Sequence, residues 1–109
     1  MDATIRLAKM FTLTAVQKLE GARVRIERGA ASVEIATILS AAMKEIERIG
    51  EPKIWSEQDK KRIEETAEHI FNLIQAIHKG TLDKKRAVND LNEIIKIVKI
   101  LSVKLDKHL

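Results

Sequence analysis

Apolar residues recur at helical spacing in four segments, and three glycine-centred breaks part them. A pattern with period 3.6 does not sit as a strand, so the chain is bound to stack helices against one another. Arg28-Gly29 closes the first segment, Gly50-Glu51-Pro52 the second and Lys79-Gly80 the third. Glycine suits the residue just past a helix, and proline cannot continue one. Ser32 is the expected N-cap of the second helix, and Ser56 with Asp59 three residues on resembles a capping box for the third. Thr81 or Asp83 opens the fourth. The expected helices cover 3–28, 32–49, 56–79 and 82–107. Short connections imply an all-α, four-helix up-and-down antiparallel bundle, with residues 1–109 as one domain.

The middle helices each carry one stripe: Ile35, Ile38, Leu39, Ala42, Met43, Ile46 and Ile49, then Ile63, Ala67, Ile70, Ile74 and Ile77. The outer helices carry more apolar residues than one face can use. The first has a core stripe of Ile5, Ala8, Phe11, Ala15, Leu19, Ala22 and Ile26, with Leu7, Met10 and Leu13 left over. The fourth has Ala87, Leu91, Ile94, Val98, Leu101 and Leu105, with Ile97, Ile100 and Val103 left over. A helix apolar on two sides is buried on two sides. In an up-and-down bundle these helices are antiparallel neighbours, which brings both surpluses to one end. The expectation is a non-enzymatic protein-interaction module, homodimeric or larger, associating through Leu7, Met10, Leu13, Ile97, Ile100 and Val103.

Charge follows the same division. Residues 1–29 hold six basic and three acidic residues, and residues 80–109 hold seven and four, a net +3 each. Residues 30–50 and 51–79 are each at −1, with two against three and five against six. The outer pair is therefore basic. Lys85, Lys96 and Lys99 share one polar stripe and are candidates for binding an anion, which makes nucleic-acid binding the alternative function. Against it, no aromatic residues interleave with the lysines to stack on bases.

Other chemistry is sparse. Without cysteine there is no disulfide, thiolate metal site or thiol nucleophile. Neither a metal site nor a cofactor is expected: a di-iron bundle needs Glu-x-x-His pairs, and Thr66 stands three residues before His69. Glu65 and His69 are close enough on a helix to touch. Glu64, Glu65 and Glu68 read as a solvated acidic face paired with Lys60, Lys61 and Arg62. The N-terminus lacks a signal-peptide pattern and no apolar run approaches a membrane span. The chain is thus expected in the cytoplasm, without membrane contact. Fifteen isoleucines among many Lys and Glu give it a thermophile-like composition.

Arg62 and His69, with six residues between them, resemble the Arg-x(4–6)-His spacing of HEPN-type ribonucleases. The resemblance covers these two residues, and Ile63 stands where the family has a polar residue after the arginine. It implies a second alternative: metal-independent RNA cleavage at a dimer interface, with His69 in acid–base chemistry and Arg62 stabilising phosphate charge.

Overall fold

The computed structural model describes residues 3–109, so residues 1–2 of the expected domain lie outside the described residues. Four helices follow one another: α1 (Ala3–Arg28), α2 (Ser32–Ile49), α3 (Glu57–Lys79) and α4 (Lys84–Asp106). They form an up-and-down antiparallel bundle about 44 Å long. α1 lies against both α2 and α4, α2 lies against α3, and α3 approaches α4 only sparsely.

The helix ends explain the boundaries. Gly29 and Gly80 take left-handed backbone, φ 72° and 69°, which costs glycine nothing. Beyond each, an amide turns back to close the helix: Ala30 N donates to Arg25 O and Thr81 N to Ala76 O, both at 2.9 Å. Gly50 is different. Its backbone stays right-handed (φ −76°), and the need is for space: a Cβ there would lie 3.3 Å from Glu47 O and 3.4 Å from Ile63 Cγ2. Glycine here lets α2 end against α3.

Two expected starts shift. Ser32 is already helical, and Ala31 holds the N-cap position without a side-chain bond. Asp83, rather than Thr81, caps α4, accepting from the Lys85 and Arg86 amides. Ser56 caps α3 as expected, accepting from the Asp59 amide at 3.1 Å.

The core draws on all four helices. Ala8, Ala15 and Ala22 form a heptad-spaced row on α1, each no more than 1% exposed. Methyl-sized side chains permit close helix approach, which is why α1 can lie near two neighbours at once. Where α3 and α4 face each other, Ile70, Leu73, Ile94 and Leu101 are buried instead, and these larger side chains hold the pair further apart. Trp55, in the α2–α3 connection, is buried too, and its Nε1 donates to Ile49 O at 2.8 Å. It plugs one end of the core and satisfies a carbonyl that the end of α2 leaves without a helical partner.

Candidate interaction surface

Polar contacts fix which side of each helix faces which neighbour. On α1, the α4 side is marked by Lys9, whose Nζ donates to Ser102 Oγ at 2.6 Å and pairs with Asp106 at 2.9 Å. Further along, Arg23 donates to Asn92 Oδ1 at 2.8 Å. The α2 side is marked by Thr14, which donates to Glu45, and by Lys18, 2.9 Å from the same carboxylate. Arg48 of α2 sits over the Phe11 ring at 4.8 Å, leaving Phe11 half-buried at the edge of the core.

These markers locate the apolar surplus. Residues three apart step round a helix by about 60°. Leu7 therefore leans toward α2, Met10 points outward and Leu13 leans toward α4. On α4 the same walk takes Ile97 toward α3, the side of Asp90 and Lys104, and Val103 toward α1. Met10 is 60% exposed and Val103 59%, with Leu7, Leu13 and Ile100 also exposed. Ile97 is only half-buried surface and packs against the core. Since Lys9 reaches Ser102 and Asp106, Met10 and Leu13 lie level with Ile100 and Val103. The structure brings these four together, puts Leu7 at one flank and turns Ile97 away.

The lysines Lys85, Lys96 and Lys99 are exposed along one strip of α4. Carboxylates interrupt it. Lys96 is 3.9 Å from Glu93, and Lys85 shares a shallow depression with Glu27 and Asp83.

Arg62 and His69 lie on the α4-facing side of α3 but two turns apart, about 10.5 Å along the axis. His69 Nε2 is 3.4 Å from Asp90, at the mouth of a groove of about 370 Å³ that also holds Asn72 and Arg86. Glu65 pairs with Lys61, not with His69. Arg62 stands instead near Asp59, a nearly buried carboxylate that receives Lys104 Nζ at 2.7 Å. That hydrogen bond holds the Asp59 carboxyl below the usual range, against burial, which raises it. The Ser56 hydrogen bond and the charges of Lys104 and Arg62 lower it further.

The sequence reading missed the Asp59–Lys104 link, buried Thr12 and Ser102, and the seam between α2 and α3. Thr12 and Ser102 had a signal: each falls on its helix's core stripe, four residues after Ala8 and Val98. The α2/α3 seam has two depressions. One, about 320 Å³, has Gly50, Ile63 and Ala67 inside and Glu47, Glu51, Glu64 and Lys60 around it. The other, about 510 Å³, includes Ala36, Ser40 and Ile74, with Lys44 and His78.

Among the described residues no three His, Asp or Glu side chains cluster as metal ligands, and no helix is long and apolar enough to cross a membrane. Comparison with protein-family models, curated proteins and solved structures found no match.

Proposed function

We propose that this chain is a small helical interaction module that self-associates through the outer side of α1 and α4. One observation carries the reading: Met10, Leu13, Ile100 and Val103 stand exposed at one level on two adjacent helices, with Leu7 at their flank. Apolar surface gains about 25 cal/mol for each Å² removed from water, and soluble monomers rarely leave such side chains contiguous. Lys96 and Lys99 at the border of the patch supply charge for steering and orientation.

The nucleic-acid reading has less support, because Glu93, Glu27 and Asp83 lie among the lysines that would meet phosphates. The ribonuclease reading has least, because Arg62 and His69 each face a different carboxylate.

Sedimentation equilibrium tests the proposal. Wild type should associate at micromolar concentration, and Ile100→Glu or Met10→Glu should return it to one chain with its helix content intact. A wild type that stays monomeric at those concentrations removes the proposal.

A further inference from the structure

The two ends of the helix order, α1 with α4 and α2 with α3, form opposite sides of the bundle. Their chemistry is opposite as well. The segments that build the first side hold a net +3 each, and those that build the second a net −1 each. The apolar ridge lies at the end where α1 begins and α4 finishes. Because the helices alternate, α2 finishes and α3 begins at that same end, and the 320 Å³ depression around Gly50 is there. Its interior is small and apolar, with Gly50, Ile63 and Ala67; Glu47, Glu51 and Glu64 stand round it with Lys60, and Glu51 is itself 3.5 Å from Arg48. Lys60 is already 3.3 Å from Glu57, whereas Glu47 and Glu64 lie exposed. Across the molecule, Lys99 and Lys107 are exposed beside the ridge.

From this complementarity we infer that the partner is a second copy of this chain, bound head to tail: the α1/α4 ridge of one copy seats in the Gly50–Ala67 depression of the next. The inference rests on the self-association proposed above and adds the surface that receives it. Met10, Ile100 and Val103 are the knobs. A seam lined by glycine and alanine is the hole, and Lys99 and Lys107 meet Glu47 and Glu64 at its border. Ridge and depression share one end, so copies stack side by side without an axial shift. The alternative, ridge against ridge about a two-fold axis, would bring the two basic sides together, which costs like-charge repulsion.

The arrangement has a consequence that a two-fold dimer lacks. Each added copy leaves one ridge and one depression free, so growth continues until a ring closes or a filament forms. A depression on the opposite side from the ridge cannot be satisfied within a pair.

Mixing two variants tests this. The ridge variant is Met10→Glu with Ile100→Glu, and the depression variant is Glu47→Lys with Glu64→Lys. All four positions are exposed, and circular dichroism checks that helix content is kept. Wild type should form species larger than two chains, and each variant alone should sediment as one chain at the same concentration. Mixed in equal amounts, they retain one good ridge and one good depression. They should form a capped pair of two chains, with affinity within about tenfold of wild type. If the depression variant associates as wild type does while the ridge variant is monomeric, self-association through α1 and α4 stands and the head-to-tail inference falls. A wild type that stops at two chains, or a mixture of monomeric variants that stays monomeric, overturns the inference in the same way. A monomeric wild type removes both.

Discussion

The seam between α1 and α2 and the seam between α3 and α4 are each made by one apolar helix face on another, yet only the first is closed. On α1, Ala8, Ala15 and Ala22 occupy successive heptad positions at 1% exposure or less, and Thr14, Lys18 and Glu45 latch the edge. Between α3 and α4 large buried residues, Ile70 and Leu73 on one helix and Ile94 and Leu101 on the other, stand beside smaller Thr66 and Ala87, and the helices stand further apart. The open seam is bridged by long polar side chains, Lys104 to Asp59 at one end and His69 to Asp90 nearer the other. Side-chain size sets helix spacing, and spacing decides what crosses a seam: a methyl row where it is tight, a lysine or a groove where it is wide. The surfaces proposed for association follow the same logic. Residues that overflow the single buried face of α1 and α4 make a ridge, while Gly50 and Ala67 make a hollow between α2 and α3.

Emptying the wide seam carries the greatest expected cost. Ile94 is fully buried on the α3 side of α4, and Ile94→Ala should cost about 2–5 kcal/mol in urea unfolding, because neighbours already held apart cannot collapse into the space. A result under about 1 kcal/mol would mean that α3 and α4 close up when the side chain shrinks. Overfilling sharpens the contrast. Ala15→Leu, in the tight row, should cost about 1–3 kcal/mol. By contrast Ala76→Leu, at the half-buried wall of the α3/α4 groove, should stay within about 0.5 kcal/mol of wild type. Equal penalties would contradict the account of spacing.

The smallest effect concerns the bridge. Lys104→Met should lower stability at neutral pH by about 1 kcal/mol, since Lys104 is partly exposed and its charge is screened. Its pH dependence identifies it. The Asp59 carboxyl ionises more easily folded than unfolded, so its contribution is complete above the ordinary carboxylate range. It is lost as pH falls below about 4, through the depressed folded value. The difference between wild type and Lys104→Met should therefore shrink in acid. A constant difference from pH 7 to pH 2 would show that the link is mechanical only.

Much of this molecule is legible in its residues, and the exceptions share a cause. Periodicity marks all four helices, and glycine chemistry marks their ends, because both are local. Helix spacing is not local: the alanines of α1 are visible in sequence, but the openness of the α3/α4 seam depends on what two distant helices present to each other. The ridge illustrates the same limit. Helical spacing identifies Leu7, Met10, Leu13, Ile97, Ile100 and Val103 as surplus. Only the contacts of Lys9, Thr14, Asp90 and Lys104 reveal that Ile97 faces α3 and Leu7 leans to α2. Arg62 and His69 matched a spacing, yet spacing along one helix carries no information about Lys104 and Asp90, which α4 brings to α3 only on folding.

The outer side of α1 and α4 is proposed as a contact surface between copies. Sedimentation equilibrium of the wild-type chain beside Ile100→Glu, at matched micromolar concentrations, tests it most directly. Association of the wild type, abolished in a variant that keeps its helix content, is the predicted result. Two superimposable profiles, whether both monomeric or both associated, would contradict it.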